Sequence, residues 1–289
     1  MEYLIHLGIL ICIYIILAQS FNLSFGIGRL FNLAHVASYA LGAYTTALLS
    51  TEHAVGFWLI VPASMLVAGL LSILIGVISL KLTQDYFAIG TLAFSSVVSA
   101  LLINWKSLTR GVLGIPGIPR PEIMGINFYE NLNFLWLALI CAVLVSIFSY
   151  MVFNNAYGRS LKTQSEFEQG ALAIGKNTRD LRNLAFFFSS SIAGLAGCLF
   201  AYYINYIDPS SFSLIEMIFI LTIVVTGKPG SFWGVTAATI FLVLLPEPLR
   251  FIDMPSSILG PLRQLLYAVI MFTVVFINRA TIFPKERSV

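Results

Sequence analysis

Two ionisable side chains stand inside long apolar runs, and these are the first places to look for chemistry. His35 closes the stretch FNLAH, and Glu216 lies within the run SLIEMIFILTIVV. An ionisable group in hydrocarbon is costly, so such residues face the bundle interior or a water-filled route, or pair with a partner. Asn32 lies three residues before His35 on the same helical face, and Ser38 and Gly42 continue that face. This strip is the first candidate for a polar path through the chain, and Glu216 is the second. A neutral imidazole tied to a neighbouring helix would explain His35 equally, and a carboxylate capping a broken helix would explain Glu216; the residue types leave both readings open.

Active-site chemistry finds little support. His6, His35 and His53 are scattered, and no serine in an apolar run has an acid–base partner nearby in sequence. Gly227-Lys228 is followed by Pro229 rather than Ser or Thr, and Thr222 stands where a phosphate loop needs its first glycine. Cys12, Cys141 and Cys198 sit far apart in apolar runs and read as small packing residues, without disulfide or metal spacing. The sequence predicts no catalytic residues, no metal ligands and no ATP hydrolysis by this chain.

The elements that must carry these residues follow from composition. The 289 residues are 58% hydrophobic and 10% charged, with a mean hydropathy of +0.91, far from the roughly 25% charge of soluble domains. An all-α polytopic membrane protein is expected, one domain over residues 1–289. Apolar runs cover Leu4–Leu23, Leu33–Ser50, Phe57–Leu80, Tyr86–Asn104, Asn133–Phe153, Asn183–Ile204 and Arg263–Ile277, each near the roughly 20 residues a spanning helix needs. The first is read as an uncleaved span, because it lacks a basic leader and continues into more membrane sequence. Leu214–Thr226 and Phe232–Leu245 are shorter and flank the turn GKPGS, so they read as a broken helical pair around Gly227. About nine membrane segments result.

Small residues repeat every fourth position at Ala34, Ser38, Gly42 and Thr46, and again at Ala193 and Gly197, which marks faces able to approach another helix closely. Basic residues gather at 154–182 (Arg159, Lys162, Lys176, Arg179, Arg182) and in the tail at Arg279, Lys285 and Arg287, so both regions are expected to be cytoplasmic. Counting back puts the connection Lys81–Asp85 inside, and the N-terminus and the Gly/Pro-rich connection at 105–132 outside. The net charge of +3 is explained by this topology, with no nucleic-acid partner implied.

Within the island, Ser165 and Glu168 have capping-box spacing and predict a helix start. Gly175 predicts its stop, and Asn177 with Asp180 predicts the next start. Phe167, Ala171 and Ile174 fall on one stripe opposite Glu166 and Gln169. That stripe could lie among lipid headgroups or insert into a groove on a partner.

Several blocks resemble one family. GRSLKTQSEFEQGALAIGKNT followed by LAFFFSSSIAGLAGCLFA is similar to the cytoplasmic loop and next helix of permease subunits of branched-chain amino acid ABC importers. NLAHVASYALGAYTTALL and SFSLIEMIFILTIVVTGKPGSFWG agree with it, and DYFAIGTLAF with TRGVLGIPGIPRP points to the LivM-type member of the LivH/LivM permease family. The resemblance implies a multi-pass protein of the bacterial inner membrane that moves branched-chain or other hydrophobic amino acids, or alternatively urea, short amides or other amino acids, by alternating access. A stand-alone secondary transporter is the remaining alternative. The resemblance implies a LivH-like second permease, two ATPase subunits that carry ATP and magnesium, and an extracytoplasmic binding protein. It assigns ATPase coupling to Glu166, Phe167, Glu168, Gly170, Ala171, Ile174 and Gly175.

Overall fold

The computed structural model describes residues 1–53, 55–79, 84–123, 125–248 and 256–277. The tail cations Arg279, Lys285 and Arg287, and most of the connection Lys81–Asp85, lie outside the described residues. The chain is all-α and polytopic. Its helices are α1 Glu2–Phe21, α2 His35–Thr51, α3 Phe57–Ser79, α4 Gln84–Asn104, α5 Lys106–Thr109, α6 Asn131–Asn154, α7 Ala156–Glu166, α8 Glu168–Ala173, α9 Thr178–Ile204, α10 Leu214–Thr226, α11 Phe232–Leu244 and α12 Ser256–Ile277. Six stretches are long and apolar enough to cross a membrane: Glu2–Ile27, Phe57–Gly76, Tyr86–Asn104, Asn131–Asn154, Thr178–Ile204 and Ile258–Ile277. With α2, α10 and α11 these make up the nine expected segments.

The centre is built from α1, α2 and α9, whose faces carry most of the buried side chains. The expected close approach is there. A Cβ on Gly42 would stand 2.2 Å from the Gly194 carbonyl oxygen, and one on Gly197 would stand 2.1 Å from that of Tyr39. Only glycine allows the α2 and α9 backbones to meet this way. Thr46 Oγ1 and Ser64 Oγ, 2.9 Å apart, extend the seam to α3.

One end of the bundle carries all the β-structure. β1 (Ile115–Pro116) pairs antiparallel with β4 (Tyr206–Ile207), and β2 (Glu122–Ile123) with β3 (Ile126–Asn127). Arg120 knots this end: its guanidinium donates to the carbonyls of Phe128, Tyr129 and Tyr203 and to Asn131 Oδ1. It also lies over the rings of Phe134 and Tyr203, 5.4 and 5.2 Å from their centroids. Burial lowers the pKa of this guanidinium, with the Tyr203 and Tyr129 phenols opposing, and it stays charged throughout.

The opposite end holds α7 and α8. Here α1 runs on as a π-helical turn, Asn22–Ile27, and receives the GKPGS turn: Asn22 Oδ1 accepts from Gly230 N at 2.8 Å. Gln19 Nε2 donates to the Phe232 carbonyl and to Thr236 Oγ1 at 3.0 and 2.8 Å. Lys228 and Gly230 adopt left-handed backbone (φ 66 and 81), and Gly227 and Gly234 touch, since a Cβ on Gly234 would stand 2.0 Å from the Gly227 carbonyl. The expected helical pair is therefore a tight α10–α11 hairpin whose turn sits at the α7–α8 end.

A second break lies where the sequence reading placed none. α10 has 13 residues, about 20 Å at 1.5 Å per residue, against a hydrocarbon core of about 30 Å. Its start is level with Tyr14 of α1, whose hydroxyl reaches Glu216. That level is about 18 Å along α1 from Glu2, near mid-membrane. The chain from Asn205 to Ser213 descends from the strand end to this depth through a 3-10 turn, Pro209–Phe212. Non-helical backbone is tolerated there only under protein cover, and Phe212, packed against Tyr39, Tyr44 and Phe200, provides it.

Candidate functional site

The polar island folds as two helices rather than one. α7 takes up Arg159 and Lys162 and buries Gly158, Leu161 and Gln164; Leu161 joins a small core with Leu23, Ile27 and Ala185. The capping box does not form. Ser165 lies in the last turn of α7 and its hydroxyl donates back to the Lys162 carbonyl at 2.8 Å, the local bonding that competes with a new helix start. Phe167 breaks the chain in an extended conformation (φ −152, ψ 88).

α8 then ends in the manner the sequence predicts. Gly175 is left-handed at φ +74, Gly175 N donates to the Leu172 carbonyl and Lys176 N to that of Ala171, which together make a Schellman stop. Asn177 caps α9 by accepting from Asp180 N at 3.3 Å. Gly170…Gly175-Lys176 has phosphate-loop spacing, yet it continues with Asn177 and is occupied by helix α8, so it offers no loop of amides for a phosphate.

The predicted stripe is divided by burial. Ala171 is fully buried, whereas Phe167 is 61% exposed, Leu172 55% and Ile174 67%. Glu168 Oε2 meets Arg182 Nη2 at 2.6 Å and ties α8 to α9. Gly170 leaves room for the Phe167 ring, since a Cβ there would stand 2.3 Å from Phe167 Cδ1. Glu166 is exposed at the break. The result is a short apolar ridge on a braced helix at the polar end.

His35 is sealed inside the bundle at 0% exposure. Its Nε2 lies 2.9 Å from Ser20 Oγ and its Nδ1 3.5 Å from Ser189 Oγ; Ser189 in turn donates to the Ser20 carbonyl at 2.6 Å. The imidazole thus joins α2 to α1 and α9. Asn32 Oδ1 accepts from Ala34 N at 2.9 Å. Asn32 Nδ2 and Ser38 Oγ are buried without a hydrogen-bond partner. Asn32, His35, Ser38 and Gly42 therefore do share one strip, and it lies in the seam around α2.

Glu216 stands apart from that strip, in the first turn of α10. It is half-buried, next to exposed Leu214 and Ile215, and its Oε1 accepts from Tyr14 at 2.7 Å. Gly227, at the other end of α10, forms the hairpin contact and has no place near Glu216.

A bundle of apolar spans with no catalytic constellation, one half-length helix starting at mid-membrane and a braced apolar ridge at the polar end is the geometry of a membrane permease rather than an enzyme. The family of branched-chain amino acid transport system permease components matches residues 3–275. The chain belongs to this family. Among its relatives, this permease is 34% identical over 286 residues to the high-affinity branched-chain amino acid transport system permease protein LivM of Escherichia coli (strain K12), covering 91% of this chain and 67% of the relative. A probable branched-chain amino acid transport permease protein LivM of Methanocaldococcus jannaschii is 28% identical, covering 94% and 81%. The autoinducer 2 import system permease protein LsrC of Escherichia coli (strain K12 / DH10B) is 24% identical over 177 residues, covering 58% and 49%. The permease spans about two thirds of the length of the LivM proteins of Escherichia coli and Salmonella typhimurium, 67% and 65%. No solved structure matches.

Sequence reasoning missed Tyr14, Gln19, Asn22, Ser20 and Ser189, all polar residues of apolar helices whose partners are more than 150 residues away or reached only through a tertiary contact. Arg120 was read only as a loop cation. A local signal did exist for the mid-membrane break: Asp208-Pro209-Ser210-Ser211 is a helix-start pattern, and Asp208 caps the 3-10 turn through Ser211 N.

Proposed function

We propose that this chain is the LivM-type permease subunit of an ATP-binding cassette importer of the bacterial inner membrane, moving branched-chain or other hydrophobic amino acids by alternating access. In this reading it pairs with a LivH-like second permease to form the translocation path, two ATPase subunits bind ATP and magnesium on the cytoplasmic side, and an extracytoplasmic binding protein delivers cargo. The N-terminus and the strand end face outward, and the α7–α8 end and the C-terminus face the cytoplasm.

The observation that carries the reading is the ridge of Phe167, Leu172 and Ile174. Isolated from any apolar neighbour and held rigid by the Glu168–Arg182 pair, it suits a groove on a soluble partner. Gly170 and Ala171 set its packing, Gly175 fixes where it ends, and Glu166 flanks it. Force on α8 passes to α9 through Arg182, and from α9 to α2 through the glycine seam. Motion of that seam would bring Asn32, His35, Ser38 and Gly42 into contact with the path, where the unpaired Asn32 Nδ2 and Ser38 Oγ find partners. Gly227 is the pivot of the α10–α11 hairpin beside it.

The relatives named LivM support the cargo class, and the LsrC relatives show that permeases similar to this one serve other solutes. The test is a disulfide or bifunctional cross-link from Ile174→Cys, in membranes where the partner subunits are co-expressed. A cross-link to an ATPase subunit whose yield changes with ATP is expected. A cross-link to lipid only, or to no ATPase, would return α8 to the headgroup region.

A further inference from the structure

The buried carboxylate of Glu216 has no cation. Among the described residues, the ion pair formed is that of Glu168 with Arg182, and Tyr14 is the group that donates to Glu216. A carboxylate offers about four acceptor positions, so most of this one is unused. At mid-membrane that is expensive, about 2.5–3.5 kcal/mol for an acidic side chain at the centre of a helix. The helix dipole returns about 0.3–1 kcal/mol and the Tyr14 hydroxyl about 1.5–3 kcal/mol. The balance leaves the group tolerated rather than stabilising, and a role beyond the fold is the simplest reason to keep it.

Its surroundings are aromatic. Tyr14 packs edge-on to Phe219 at 5.2 Å, and Phe219 against Tyr267 at 4.6 Å. The charge of Glu216 acts on Tyr14, Tyr39 and Tyr267 alike, which places three phenol rings around one carboxylate. Unlike His35, the site is open to one face, where Leu214 is 47% exposed, Ile215 53% and Ile218 41%. Aromatic rings around a single anionic oxygen pair form a receptor for a compact organic cation. A metal ion such as sodium or calcium needs a shell of several oxygens, and no cluster of three or more candidate ligands exists among the described residues.

We infer that Glu216, held by Tyr14 within its aromatic ring set, is the membrane subsite that receives the α-ammonium group of the transported amino acid, with the apolar face of α10 at Leu214, Ile215 and Ile218 receiving its side chain. This deepens the transport reading and rests on it. The subsite lies halfway through the bilayer, where a zwitterion most needs compensation for its lost hydration.

The experiment uses the assembled complex in proteoliposomes with its binding protein, and follows labelled leucine uptake alongside ATP hydrolysis. Wild-type uptake that needs ATP is the reference; its absence would fail the transport reading and not this subsite. Glu216→Gln keeps the shape and removes the charge, so uptake falls about a hundredfold or more while hydrolysis stimulated by the binding protein persists. Glu216→Asp restores part of it, and Tyr14→Phe lowers uptake about tenfold. Full uptake by Glu216→Gln would show that charge is dispensable and overturn the assignment. Joint loss of uptake and stimulated hydrolysis in both Glu216 variants would make the residue structural and also overturn it. Uptake that disappears in sodium-free buffer would give the carboxylate to a metal cation instead.

Discussion

Replacing Phe167 with alanine removes the largest element of the exposed ridge. A phenylalanine side chain buries about 150–250 Å²; at 61% exposure about 90–150 Å² of it remains available to a partner. At roughly 25 cal/mol per Å² this amounts to about 2–4 kcal/mol. Ordering the side chain and the partner costs part of that, so the expected loss is about 2 kcal/mol, or about thirtyfold in affinity. The assay is binding of purified ATPase subunits to the permease in nanodiscs, with Lys176→Ala as a nearby control that removes charge without apolar area. Phe167 makes no packing contribution to the bundle core, so the thermal stability of the permease should not move. An affinity within twofold of wild type, with the permease folded, would refute the docking argument.

Three further outcomes follow from the packing. Gly42→Leu forces the α2–α9 seam apart, because even its Cβ would stand 2.2 Å from the Gly194 carbonyl oxygen; a loss of about 3 kcal/mol should appear as a lower melting temperature in detergent. Asn22→Leu strands Gly230 N and loosens the α10–α11 turn, costing about 1–3 kcal/mol and speeding amide exchange at residues 227–231. Arg120→Met leaves the carbonyls of Phe128, Tyr129 and Tyr203 without their donor, so the strand end should lose about 3 kcal/mol and become cleavable by external protease, with α8 unaffected.

Helix lengths and positions could be read from sequence because hydrocarbon demands long apolar runs, and α3, α10 and α11 begin at the residue where the apolar run begins. Gly175 and Asn177 were legible for a similar local reason: a left-handed stop and a side-chain cap depend only on neighbours. Ser165 and Glu168 misled because the spacing of a capping box does not reveal that α7 is already helical at Ser165, nor that Glu168 is drawn to Arg182. Depth was hidden as well. That Glu216 stands at mid-membrane follows from its contact with Tyr14, and no local pattern encodes a contact across 202 residues. His35 and Glu216 looked alike in sequence, each a lone ionisable group in an apolar run; burial by α1 and α9 seals the first, while the half-length α10 leaves the second facing out.

The central claim is that ATP-driven import acts through α8. The direct measurement is leucine uptake by the full complex in proteoliposomes, comparing wild type with the combined Phe167→Ala, Leu172→Ala and Ile174→Ala variant at ATPase concentrations that still assemble the complex. The account predicts uptake in the wild type that requires ATP, and a variant that hydrolyses ATP yet imports little. Equal uptake by the two, or wild-type uptake without ATP, would contradict it.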